Sequence, residues 1–265
     1  MKNAKVVLKN RTSDIDKTLS EFDSVSLKDM KSASLMDRAE TKYVVNHDLL
    51  LKILPRMIEG YNVLEIEGQR KNNYSTVYFD TLDFDMYKRH HNGLVNRYKV
   101  RVRKYKDSKL SFMEVKFKNN KDKTVKKRIP LSEGFEKSKS NADNFIKNKS
   151  PFNSKDLFEV LLNNYKRITF VNKSGPERVT IDFDLEFYNI TNKKDAKFPN
   201  FFVVEVKKEN HSQRSEFVNL MHEFSVRPSG FSKYCIGIAS THNGLKTNNF
   251  KKNFLMLNKI CGVKK

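Results

Sequence analysis

Nine residues, Arg97-Tyr98-Lys99-Val100-Arg101-Val102-Arg103-Lys104-Tyr105, alternate so that Arg97, Lys99, Arg101 and Arg103 fall on one face of a strand and Val100 and Val102 on the other. Successive cations on one strand face stand ~7 Å apart, and each pair repels by roughly 2 kcal/mol at an effective dielectric near 20. An anion on that face relieves the repulsion. Taken alone, the strand fits a solvated lysine-rich face as well as a binding face.

Other stretches share the pattern. Glu114, Lys116 and Lys118 lie opposite Val115 and Phe117; Lys126 and Arg128 lie opposite Val125 and Ile129. Over residues 178–187, Arg178, Thr180, Asp182, Asp184 and Glu186 alternate with Val179, Ile181, Phe183, Leu185 and Phe187. Glu205 and Lys207 alternate with Val204 and Val206, and Arg38, Glu40 and Lys42 alternate near the start. Cations thus gather on the strands from 97 to 128 and carboxylates on those from 178 to 205, whereas a solvated face more often mixes signs locally. The spacing predicts an antiparallel sheet, its apolar face under helices and its polar face either open to water or rolled into a barrel interior, and the charge distribution favours closure. Such a barrel could hold a phosphate chain on its basic wall and a divalent metal on its acidic wall. Glu114 is expected to pair with Lys116 or Arg103. Removing Arg101 or Arg103 is expected to relieve crowding and leave the fold intact.

The elements that position these residues are read as follows. Residues 1–36 form a polar arm with a short helix around 15–22. Asn46 caps a helix carrying Leu49, Leu50, Ile53 and Leu54, ended or kinked at Pro55. Strands follow near 63–66 and 74–80, then a short helix over 83–90 and a turn at Asn92-Gly93. Residues 132–153 loop out, and Ser154 caps a helix with Leu157, Phe158, Leu161 and Leu162 as its buried stripe. A short strand over 168–171, a helix over about 213–224 and an apolar stretch led by Ser229-Gly230-Phe231-Ser232-Lys233-Tyr234 complete a domain over 37–245. Residues 246–265 are a basic tail.

The 265 residues carry 52 Lys plus Arg against 31 acidic groups, a net charge of +21. That balance calls for a polyanionic partner. No apolar run is long enough to span a membrane, no signal sequence is evident, and a cytoplasmic location is expected. Cys235 and Cys261 make no disulfide framework, and the six histidines are scattered without metal-ligand spacing.

Glu40-Thr41-Lys42-Tyr43, Arg101-Val102-Arg103, Glu114-Val115-Lys116, Val125-Lys126-Lys127-Arg128, Arg178-Val179-Thr180-Ile181-Asp182, Glu205-Val206-Lys207 and Ser232-Lys233-Tyr234 occur in one order. In that order they resemble the vacuolar transporter chaperone (VTC) domain of the triphosphate tunnel metalloenzymes, over about residues 37 to 240. The resemblance implies an α+β fold with an antiparallel closed β-barrel. It also implies a polyphosphate polymerase that moves the terminal phosphate of ATP onto inorganic polyphosphate with Mn²⁺ or Mg²⁺. It assigns phosphate binding to Lys42, Arg101, Arg103, Lys116, Lys126 and Arg178, and metal binding to Glu205 with Glu40 as a second candidate. Contact with the chain falls to Ser232, Lys233 and Arg128. Two departures stand out. The hydrolytic branch opens with two alternating glutamates and a lysine, where this chain has Arg38, Glu40 and Lys42, and Gly230 stands where some polymerases carry lysine. A triphosphate hydrolase or nucleotidyl cyclase of the same fold, or a non-catalytic binder of polyphosphate or nucleic acid, are the alternatives. Phosphate chains are expected to bind in preference to duplex DNA, and no protein partner is implied.

Overall fold

The structure is a computed structural model that describes residues 13–32, 39–121, 123–131, 138–209 and 214–261. Alternating apolar and charged residues build one eleven-stranded sheet. Its strands in chain order are β1 (Ser24–Val25), β2 (Ala39–Asn46), β3 (Tyr61–Leu64), β4 (Asn72–Asp80), β5 (Arg97–Tyr105), β6 (Leu110–Lys118) and β7 (Thr124–Pro130). They continue as β8 (Phe158–Asn172), β9 (Arg178–Asn189), β10 (Asp195–Phe198) and β11 (Phe201–Lys208). The spatial order is β2-β11-β9-β8-β4-β5-β6-β7, with β3 and β10 paired at the margins of β8 and β9. All these pairings are antiparallel; the short β1 pairs β3 in parallel.

Each face of the sheet has its own cover. On one face Tyr43, Val45, Ile181, Val204 and Val206 are buried beneath a helix over residues 13–20 (α1), α3 (His47–Ile53) and α6 (Glu216–Glu223). Asn46 caps α3 by accepting the Leu49 N–H at 2.9 Å, and Pro55 converts the following turn to a 3₁₀ turn over Leu54–Met57. The same face of β6 and β7 is covered in part by α5 (Lys139–Lys149), whose Phe145 and Ile146 are buried in one cluster with Met113. The opposite face carries the charged residues. Its curl is visible in the reach of Lys116 on β6 to Glu40 on β2, 3.4 Å apart although five strands lie between theirs.

α7 (Lys233–Thr241) lies across one end of this concave face and α8 (Lys251–Cys261) packs behind it. Gly237 lets α7 sit close: a Cβ there would stand 2.5 Å from a Phe187 carbon and 2.6 Å from a Leu161 carbon. α4 (Asp85–His91) is tied to α7 through Asp80, which accepts the N–H groups of Thr81, Met86 and Tyr87 and the Tyr234 hydroxyl. Burial raises the pKa of Asp80 against the pull of these donors.

Several expectations need correction. The sheet is a curled half-barrel, not a closed barrel: β2 and β7 end the strand order without pairing each other, and the side chains of Glu40 and Lys116 meet across the seam between them. The helix expected after Ser154 is the fifteen-residue strand β8, because its apolar residues are buried on both faces and lose their period-two signature. Within the expected loop 132–153, residues 139–149 form α5; residues 132–137 lie outside those described. Ile15, Leu19 and Phe22, from the stretch read as an arm, are buried in the core, with Phe22 5.0 Å from Phe170. From the stretch read as a tail, α8 buries Leu257. Residues 1–12, 33–38 and 262–265 lie outside those described.

Candidate functional site

The concave face holds three clusters of charge. In the first, β5, β6 and β7 place Arg101, Glu114 and Lys126 side by side. Arg101 donates to Glu114 through Nε at 2.8 Å and Nη2 at 2.6 Å, and Lys126 Nζ stands 3.1 Å from the other carboxylate oxygen. Burial works against the Glu114 charge, but Arg101, Arg103 and Lys126 hold its pKa well below the usual range. Glu114 therefore pairs with Arg101 and Lys126, not with Lys116 or Arg103 as its sequence position suggested.

The second cluster joins β8, β9 and α7. Arg167 grips Asp182 bidentately, Nε to Oδ1 at 2.5 Å and Nη2 to Oδ2 at 2.8 Å, and Lys233 donates to the same Oδ2. Asp182 is almost fully buried, which opposes its charge, yet Arg167 and Lys233 hold its pKa at about 2. Arg167 also lies over the Tyr74 ring at 5.3 Å, and Lys233 over Tyr165 at 5.0 Å.

The third lies where β2 meets β11. Lys42 Nζ stands 3.5 Å from Glu40 and 4.0 Å from Glu205, and Lys207 Nζ 2.7 Å from Glu205 and 3.9 Å from Glu40. Lys116 closes the group from across the seam. Burial opposes the Glu205 charge, and Lys207 and Lys42 override it, holding the pKa well below normal. Burial and the neighbouring Glu205 charge push the Glu40 pKa up, and Lys116, Lys207 and Lys42 outweigh them, holding it below normal. Two neighbouring carboxylates are the hard oxygen donors that Mg²⁺ or Mn²⁺ takes alongside phosphate oxygens. Among the described residues no group of three or more His, Cys, Asp or Glu gathers as a larger metal cluster.

Ser232, at the N-cap of α7, accepts the Cys235 N–H at 3.3 Å and the Lys99 ammonium at 2.9 Å. Burial lowers the Lys99 pKa to about 8, assisted by Lys116, Lys42 and Arg101. The Nε of Arg103 is buried with no hydrogen-bond partner, as is the hydroxyl of Thr76, its register partner on β4. Those orphaned groups mark room for polar atoms of a ligand or water. Arg178 stands beside Lys207 in register.

Lys42, Arg101, Arg103, Lys116, Lys126, Arg178, Glu40, Glu205, Ser232 and Lys233 thus sit on or beside the concave face. Arg128 stands opposite Glu114 in register, on the same face but at the exposed edge strand β7, over the Phe112 ring at 4.5 Å. Asp182, Asp184 and Glu186 do not share a face. Asp184 takes a left-handed φ of 51° at a register shift between β8 and β9, which flips the alternation. Asp182 points inward, while Asp184 and Glu186 pair outside with Lys166 and Lys197. Arg167 was missed, because the stretch leading into it reads as helix; the signal that could have found it is Tyr165-Lys166-Arg167-Ile168-Thr169-Phe170, which alternates as a strand.

Several solved structures are similar. An adenylate-cyclase-like protein of Bacillus halodurans aligns with a TM-score of 0.49 at 13% identity, covering 74% of this chain and 96% of that one. An adenylyl-cyclase-like protein of Hippeastrum, in which triphosphatase activity is dominant, aligns with a TM-score of 0.47 at 12% identity, covering 80% and 99%. One from Vibrio parahaemolyticus gives 0.46 at 15% identity, covering 77% and 99%. No curated protein matches the chain in sequence. The chain belongs to the VTC domain family, whose model matches residues 37–242.

Proposed function

We propose that the concave face binds the triphosphate of ATP and transfers its terminal phosphate to inorganic polyphosphate. The observation that carries this reading is the convergence of cations from β2, β5, β6, β7, β8, β11 and α7 on one surface. Each buried carboxylate there is already shared by two of them. Among the described residues the cations of this face outnumber its carboxylates, and a chain of phosphates supplies the balancing charge.

Phosphoryl transfer asks the protein mainly to align donor and acceptor and to neutralise the moving charge. Arg101 and Arg103 suit the phosphate oxygens through their forked donors and stay charged at any working pH. Lys42, Lys116, Lys126 and Arg178 supply further charge along the face. Ser232 and Lys233 guide the acceptor chain at the α7 end. Enzymes of this class generally depend on a divalent metal; Glu205 and Glu40 would hold it, and it would supply Lewis-acid neutralisation of the phosphate oxygens. No side chain is needed as a covalent nucleophile.

A triphosphatase reading is favoured by one feature, the open seam between β2 and β7, which admits water to the same face. Incubating the protein with ATP and Mn²⁺ or Mg²⁺ and separating products on a gel distinguishes the two. Polyphosphate ladders support the polymerase, orthophosphate or pyrophosphate alone the hydrolase, and cyclic nucleotide a cyclase. Tripolyphosphate that binds without turnover leaves a binding protein.

A further inference from the structure

Outside the concave face, α5 ends before it has covered the convex side of β5 to β7. Its last residue is Lys149, and beyond it two adjoining hollows of about 470 and 390 Å³ share Tyr98 as a wall. Their apolar lining includes Phe117, Phe152 and Leu94, the last 44% exposed, and Val125, 41% exposed. The rim is almost wholly basic: Lys88 and Arg89 border one hollow, Lys127 and Lys149 the other, and Asp85 is the single lining carboxylate. The loop that holds Leu94 out is built, not loose. Arg89 donates to the Val95 carbonyl at 3.3 Å, Arg97 to the Leu94 carbonyl at 3.2 Å, and the Leu94 N–H to the Arg89 carbonyl at 3.0 Å.

We propose that this groove docks an acidic segment of a partner protein, laying an aliphatic or aromatic anchor against the wall formed by Tyr98, Phe117 and Val125 while its carboxylates meet the rim. Charge and shape choose this occupant. A second copy of a chain carrying +21 would bring like charge against the rim. A phosphate chain has no apolar group for the floor. Single-stranded nucleic acid asks for open ring faces to stack its bases, whereas Tyr98 is stacked on Phe117 at 4.5 Å and makes an edge contact with Phe152 at 6.1 Å. An apolar anchor ringed by opposite charge matches the usual anatomy of a docking site, a desolvated centre inside a polar rim.

The test is selection of random short peptides displayed on phage against the wild-type protein, followed by fluorescence anisotropy of the enriched peptide with wild type, Val125→Asp and Lys149→Glu. Enrichment of sequences with acidic residues flanking an apolar anchor is expected. Affinity should fall about tenfold or more with Val125→Asp, and fall with Lys149→Glu in a salt-sensitive manner. Tripolyphosphate binding on the other side of the sheet should stay unchanged in both variants. Absence of any such consensus, equal affinity for the variants, or displacement of the peptide by oligo-dT at lower concentration than by unlabelled peptide overturns the proposal.

Discussion

Arg101 holds the buried Glu114 through two nitrogens on one carboxylate oxygen, so the cation that sequence spacing marks as crowded is in fact half of an ion pair. Removing it does not relieve repulsion; it leaves a buried carboxylate with Lys126 alone. Breaking such a pair costs about 3 kcal/mol or more. Arg101→Ala is therefore expected to lower the denaturation midpoint clearly. Arg103→Ala, whose Nε has no partner, should cost less. Both should weaken tripolyphosphate binding. Equal melts for the two variants would show that Glu114 is satisfied without Arg101.

Two lysines on the concave face give affinity and stability opposite pH dependences. Burial lowers the pKa of Lys99 and of Lys126 to about 8, while an unfolded lysine titrates near ~10.4. Between these values the unfolded chain binds more protons than the folded one, so this contribution makes the ligand-free protein more stable as pH rises from 8 towards 10. Over the same range the face loses positive charge, and tripolyphosphate affinity should fall. Paired denaturation and calorimetric titrations across this range check both signs. Affinity that stays flat through pH 8 would remove both lysines from the binding surface.

Gly237 sets the distance between α7 and the sheet. A methyl group there collides with Phe187 and Leu161, both fully or nearly fully buried, so neither can swing away freely. Gly237→Ala is expected to destabilise by roughly 1–3 kcal/mol, as overpacking of a filled core does. It should also displace Ser232 and Lys233 and weaken polyphosphate binding. An unchanged melt and unchanged affinity would mean that α7 is free to shift outward.

The strands whose two faces differ were legible from the chain: β5, β9 as far as Asp182, and β11 carry charge on one side and Val, Ile or Phe on the other. β8 was not, because Leu161 and Leu162 are adjacent apolar residues on opposite faces and Asn163 and Asn164 have low intrinsic preference for strands. Tertiary pairing with β4 and β9 overrides both signals, and Arg167 was hidden with the strand that carries it. The positive φ of Asp184 is equally silent in sequence, since asparagine and aspartate adopt it only where the surrounding register demands. Whether the sheet closes depends on how far it curls between β2 and β7, a property of every strand together and of no local pattern. The charged motifs, being local, keep their spacing along the concave face, with Arg128 opposite Glu114 at its exposed edge.

Glu205 separates a metal-dependent enzyme from a cationic binding surface. Its carboxylate is inward, 2.7 Å from Lys207 and 4.0 Å from Lys42, with Glu40 reached by the same two lysines. If the carboxylate serves only as their counter-ion, Glu205→Gln leaves two lysines under-compensated and lowers stability without touching metal affinity. If it also holds Mn²⁺ or Mg²⁺, the same change removes the charge that ligation needs while keeping size and shape. The expected outcome is the second: Mn²⁺ binding in the presence of tripolyphosphate, followed by electron paramagnetic resonance, should weaken at least about tenfold, a loss of ~1.4 kcal/mol. Tripolyphosphate affinity without metal should be unchanged or tighter, because a repelling carboxylate has gone. Mn²⁺ affinity equal to wild type, with only the melt displaced, would make Glu205 a structural partner of Lys207 and leave Glu40 as the remaining metal candidate on this face.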